Sequence, residues 1–148
     1  MTEEQLLRQH PVLVVEDSMD DFEAMKRAFK KVGLINQLDH VTSGEDAMKY
    51  LKSNPRPSLV LLDLNMPGMG GQKALELIKS DETLKFIPVV VLTTSGYAPD
   101  VTKCYTLGAN TYIRKPVDFD IFTKIIKNVK EYWLDLAMLP PMPEPRTA

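Results

Sequence analysis

Four short apolar runs limit what this chain can fold into: Val12 to Val15, Leu59 to Leu62, Val89 to Leu92 and the weaker Thr111 to Ile113. They are rich in β-branched residues and do not strictly alternate apolar with polar, the pattern of strands covered on both faces in a parallel sheet. Asn36 to Val41 is a fifth, less regular candidate. Between the runs, apolar residues recur at helical spacing. Phe22, Met25, Ala28 and Phe29 form one stripe, Ala74, Leu75, Leu77 and Ile78 another, and Phe119 to Trp133 the longest. Ser18 and Asp118 read as helix N-caps, Gly33 and Gly108 as helix ends, and Asn54-Pro55-Arg56-Pro57 as a surface loop. Strand and helix thus alternate about five times, which predicts an α/β fold: a doubly wound, five-stranded parallel sheet with helices on both faces.

Composition narrows the setting. The chain has 148 residues, enough for one domain with a sizeable core. A net charge of −2 gives no general attraction for nucleic acid or an anionic membrane. No apolar run approaches the roughly 20 residues of a membrane helix. Cys104 is the only cysteine, so no internal disulfide is available and a cytoplasmic location is expected. The α/β domain is expected over 11–131, after an N-terminal extension (1–10) and before a C-terminal one (132–148), aromatic and then Pro-rich.

The chemistry gathers where the strands end. In open parallel sheets, functional groups collect at the carboxyl ends of the strands. The first run leads into Glu16-Asp17, the third strand into Asp63, the fourth into Thr93-Thr94 and the fifth into Lys115-Pro116. Three neighbouring carboxylates repel one another unless a cation joins them. Such an oxygen-rich set suits Mg²⁺, with Asp17 and Asp63 as direct ligands, Glu16 acting through a water and the Asn65 carbonyl adding an oxygen. Zinc is poorly served, because Cys104 stands alone and His10 and His40 are far apart. Lys115 supplies a phosphate-holding cation that also pairs with Asp63, and Thr93 a hydroxyl donor. These groups fit attack of Asp63 on a phosphorus atom. Met66-Pro67-Gly68 reads as a tight turn with Gly68 free to take positive φ, followed by a flexible Gly70-Gly71. Taken singly, each residue has an ordinary structural explanation: a helix-dipole charge, a polar strand end, a solvated lysine. None of those explains why all of them fall at successive strand ends.

The segments LVVED (13–17), LVLLDLNMPG (59–68), IPVVVLTTSG (87–96) and GANTYIRKP (108–116) resemble the receiver domains of bacterial two-component response regulators, the family that includes the chemotaxis protein CheY. The resemblance spans Pro11 to Lys130 and implies a flavodoxin-like (βα)5 fold. It implies Asp63 as phosphoacceptor, Glu16 and Asp17 as the acidic pair for Mg²⁺ (with Mn²⁺ or Ca²⁺ as substitutes), Thr93 as switch hydroxyl and Lys115 as phosphate contact. It also implies a switch aromatic at Tyr112, which turns inward behind Thr93, and a cis peptide between Lys115 and Pro116. The donor would be a sensor histidine kinase, and the protein a signalling switch that catalyses only its own modification and dephosphorylation. The ending Glu-Tyr-Trp-Leu-Asp-Leu-Ala-Met-Leu-Pro-Pro and the Glu-Asp-Ser start are similar to small regulators paired with cyanobacterial phytochromes, which implies a phytochrome kinase and a homodimer.

Eighteen residues follow Lys130, too few for a DNA-binding output domain, so output is expected by protein contact. Tyr132, Trp133, Leu136 and Leu139 either cover the domain's own edge or form a dimer or kinase-docking surface, with self-association favoured. Met19, Phe22 and Met25 are kinase-docking candidates, although the latter two read more readily as core. Leu139 to Pro145 reads as a polyproline-like tail. Two rivals are a phosphorylation-independent pseudo-receiver and a haloacid-dehalogenase-like phosphohydrolase. The second conflicts with Asn65, where such enzymes carry an aspartate, and with the position of Asp63 after the third strand. One departure from the receiver pattern has a kinetic consequence: residue 94 is often Ala or Gly and here is Thr. Its bulk beside Asp63 slows access of donor or water, so Thr94→Ala should label or lose phosphate faster; equal time courses for the two proteins would refute this.

Overall fold

The computed structural model describes residues 1–141. Five parallel strands, β1 (Val12–Val15), β2 (Leu38–Val41), β3 (Leu59–Leu62), β4 (Val89–Thr93) and β5 (Thr111–Arg114), form one sheet in the order β2-β1-β3-β4-β5. Helices α1 (Glu3–Arg8), α2 (Met19–Lys31), α3 (Gly44–Ser53), α4 (Gly71–Ser80), α5 (Ala98–Leu107) and α6 (Phe119–Lys130) precede or follow the strands, and α6 runs into a π-helical segment, Glu131–Leu136. The expected doubly wound sheet is present, and the irregular candidate near Asn36 is the edge strand β2.

The continuous apolar runs are explained by burial. Every residue of β1, β3 and β4 is buried, and successive residues face opposite layers. Leu13, Val15, Val60, Leu62, Val89 and Val91 pack with α3, α4 and α5, around Ala47, Leu75 and Ile78. Val12, Val14, Leu59, Leu61, Val90 and Leu92 pack with α2 and α6, around Phe29, Phe122 and Ile126. The edge strands β2 and β5 are only partly covered. Caps fall as read: the Ser18 and Asp118 side chains accept the N–H groups of Asp21 and Ile121 at 3.2 and 3.0 Å. Phe22 and Met25 are core residues, whereas Met19 is 55% exposed.

The described parts of both extensions, residues 1–10 and 132–141, pack against the domain. Thr2 and Gln5 form a reciprocal capping box for α1, a T-x-x-Q signal that was present in the sequence. Leu7 is buried, which stabilises the docked helix by about 2 kcal/mol. Arg8 donates to the Asp135 carbonyl at 2.6 Å, and Arg56 to the Pro140 carbonyl at 2.7 Å, so the segment that follows α6 is tied to the domain as far as Pro140. Leu139, read as an interface candidate, is 3% exposed and offers no surface to a partner; with Leu134 it covers the domain's own edge. Tyr132 and Leu136 are exposed at 53% and 72%, and half-buried Trp133 meets the Tyr132 ring edge-on at 5.0 Å. The Pro143 and Pro145 part of the tail lies outside the described residues.

The β3–α4 loop corrects a second expectation. Gly68 has φ of 69°, as the turn requires. Gly71 is not a source of looseness: a Cβ there would lie 2.2 Å from the Asp63 carbonyl oxygen and 2.7 Å from Leu64 Cα. The first turn of α4 presses on the backbone that carries Asp63, and only hydrogen fits between them. Gly71→Ala should therefore destabilise the protein by about 2 kcal/mol or more. Gly70→Ala, whose nearest atom would be an ordinary 3.7 Å away, should change stability by less than about 0.5 kcal/mol. Thermal melts of the two variants check this, and equal melting temperatures would contradict it.

Candidate functional site

The strand order changes direction at β1, and the crevice of an open α/β sheet forms at such a point, between β1 and β3. Parallel pairing aligns Val15 with Leu62, so the residues that follow both strands emerge side by side. The Asp63 N–H donates to the Val15 carbonyl at 3.0 Å, and the Glu16 N–H to the Val41 carbonyl at 3.0 Å. On the other side, Thr93 pairs with Arg114, and the Lys115 N–H donates to the Thr93 carbonyl at 2.6 Å. Register alone therefore brings Glu16, Asp17, Asp63, Thr93 and Lys115 to one edge.

Carboxylate oxygens of Glu16, Asp17 and Asp63 lie within 4.8 Å of one another, the one such grouping of metal-capable side chains among the described residues. Glu16 and Asp63 are buried, at 1% and 7% exposure, while Asp17 faces solvent. Lys115 reaches across the edge: its Nζ donates to Glu16 Oε1, to Asp63 Oδ2 at 3.1 Å and to Asp21 Oδ2 at 3.0 Å. The Asn65 N–H donates to Asp63 Oδ1 at 3.1 Å, and the Asn65 amide to the buried Thr93 hydroxyl at 3.4 Å. Asp21 is the residue sequence reasoning missed. It reads as an acidic first-turn residue that complements the helix dipole, and only the packing of α2 against the β5 end turns it toward Lys115.

Charge explains how these groups titrate. Burial pushes Glu16 up to about 7, with the Asp63 charge adding to the rise and Lys115 opposing it. Burial acts on Asp63 in the same sense, but the Asn65 N–H, Glu16 and Lys115 outweigh it and hold Asp63 below its ordinary value. Lys115 is lowered by burial and raised more by Glu16, Asp63 and Asp21, so it stays a cation. One ammonium thus faces more carboxylates than it can neutralise. Hard oxygen donors in excess of positive charge fit a divalent cation of the Mg²⁺ class.

Tyr112 is half-buried on β5. Its hydroxyl donates to the Ser95 carbonyl at 2.8 Å, and its N–H donates to the Tyr105 hydroxyl at 3.1 Å. The expected cis peptide before Pro116 is not found, because no cis peptide occurs among the described residues. Trans is favoured by about 0.5–1 kcal/mol before proline. The trans chain already delivers the Lys115 N–H to Thr93 and its Nζ to the carboxylates.

Residues 12–127 match the family model described as the response regulator receiver domain. The chain is 36% identical over 135 residues to the response regulator Rcp1 of Synechocystis, covering 87% of this chain and 92% of that protein. Among solved structures it resembles the phosphorylated cyanobacterial phytochrome response regulator RcpA, with a TM-score of 0.85 and 38% identity over 89% of this chain and 99% of the other. It also resembles the Mn²⁺-bound form of Rcp1, with a TM-score of 0.82 and 36% identity over 88% and 99%. With its five-stranded parallel sheet and its acidic edge, this chain belongs to the response regulator receiver domain family, whose members act in signalling.

Proposed function

We propose that the protein is a phosphorylation switch in which Asp63 accepts a phosphoryl group from a histidine of a sensor kinase of the phytochrome type. The observation that carries this reading is the meeting of Asp63, Thr93 and Lys115 with two further carboxylates at one sheet edge. An Asp63 carboxylate oxygen forms a bond to phosphorus while the phosphorus–nitrogen bond to the donor imidazole breaks, and that nitrogen leaves with the electron pair. Lys115, charged and aimed at Asp63, offsets charge on the transferring oxygens. Thr93, buried at the end of β4, donates its hydroxyl to one of them. Glu16, Asp17, Asp63 and the Asn65 carbonyl would hold Mg²⁺, which would supply positive charge against the carboxylates and the transferring phosphoryl group. Glu16 and Asp63, buried and sharing a single ammonium, fit that group.

The switch itself is read as a coupled move of Thr93 and Tyr112. Drawing Thr93 toward phosphate displaces the loop that carries Ser95, whose carbonyl accepts the Tyr112 hydroxyl. Output passes to partner proteins through this face. Self-association uses exposed Tyr132 and Leu136 beside Trp133, and a cytoplasmic setting suits a single, buried, unpaired cysteine.

Incubation with acetyl phosphate and Mg²⁺, read by intact mass, should add one phosphate to the wild-type protein and none to Asp63→Asn. Absence of label with any donor, a phytochrome kinase included, would leave a phosphorylation-independent interaction module. Asp17→Asn should weaken Mg²⁺ binding, measured by titration calorimetry on the unphosphorylated protein, by about tenfold or more, since it removes a direct ligand from a site with few. Unchanged affinity would remove Asp17 from the ligand set.

A further inference from the structure

An ammonium group has three N–H donors, and on Lys115 all three have carboxylate acceptors: Glu16, Asp63 and Asp21. The third differs from the others. The Glu16 and Asp63 side chains are 1% and 8% exposed, whereas that of Asp21, in the first turn of α2, is 45% exposed. A phosphoryl group on Asp63 brings new oxygens to Lys115, so one existing bond has to open. Opening the Glu16 bond strands a buried carboxylate beside Asp63, a costly outcome. Asp63 is the group that carries the phosphoryl. Asp21, once released, is solvated by water at small cost.

We propose that Asp21 is a positioning residue that holds Lys115 in the unphosphorylated protein and gives it up to the phosphoryl oxygen, so that this ion pair opposes phosphorylation and sets the fraction of protein that carries phosphate. The inference rests on the reading of Asp63 as phosphoacceptor. Asp20 supplies an internal comparison: it carries the same charge one residue earlier, is exposed, and makes no bond to Lys115.

The test measures the ratio of labelled to unlabelled protein at one fixed, subsaturating concentration of acetyl phosphate with Mg²⁺. In that reaction the Asp63–phosphorus bond forms, and acetate leaves with the electrons of the broken phosphorus–oxygen bond. The ratio should rise about twofold to fivefold in Asp21→Asn and Asp21→Ala, the range expected for losing one partly exposed ion pair. It should return toward wild type in Asp21→Glu, whose carboxylate still reaches the lysine, and stay at wild type in Asp20→Asn. Melting temperatures of the variants show that each is folded. An equal rise in Asp20→Asn would assign the effect to net charge and overturn the proposal. So would an unchanged ratio in both Asp21→Asn and Asp21→Ala while wild type labels normally. Failure of wild type itself to label would instead overturn the phosphoacceptor reading on which the proposal stands.

Discussion

Parallel pairing of β1 with β3, Val15 opposite Leu62, fixes the positions of all the groups described above. In a parallel sheet the strands end on the same side, so side chains that follow them share one edge whatever the distance between them in sequence. Slipping β3 by one residue would turn its buried alternation inside out, moving Leu62 and Val60 away from α4 and Asp63 away from Glu16. The two apolar layers therefore hold the register, and the register holds the site. Gly71 adds a second constraint from the side, because α4 starts against the backbone of Asp63 with no room for a side chain.

The edge so formed has too much negative charge for its one lysine. Glu16 and Asp63 are buried within reach of the same ammonium, and burial raises Glu16 while Asp63 keeps its charge through the Asn65 N–H and Lys115. Charged groups in such a place are stable only when paired. That shortage of positive charge makes the edge receptive to a divalent cation. It also makes Lys115 an object of competition among three carboxylates, only one of which, Asp21, is free to turn to solvent.

Away from the acidic edge, α1 and the segment from Leu134 to Pro140 pack against the domain. Arg8 in α1 holds the Asp135 carbonyl, Arg56 holds the Pro140 carbonyl, and Leu7, Leu134 and Leu139 are buried. The stripe of apolar residues beyond α6 is thus divided between two roles. Leu134 and Leu139 seal the domain, while Tyr132 and Leu136 face outward beside the half-buried Trp133. Periodicity does not separate these roles, because the π-helical segment Glu131–Leu136 shifts the register of side chains relative to the α-helical stripe before it.

The sequence by itself determined the sheet, its parallel sense, the caps at Ser18 and Asp118, and the residues at the strand ends. Those features follow from local patterns: continuous β-branched runs, helical spacing, and cap and turn residues. It also carries the capping box of Thr2 and Gln5, although the six-residue helix it starts is too short to show an apolar stripe. Only the tertiary structure decided which side chain meets Lys115 from α2, which extension residues seal the domain, the trans peptide before Pro116, and the close approach that makes Gly71 necessary. Each of these depends on contact between segments distant in sequence, such as Asp21 with Lys115 or Arg56 with Pro140. A local pattern records what a residue prefers, and the packed fold decides what it meets.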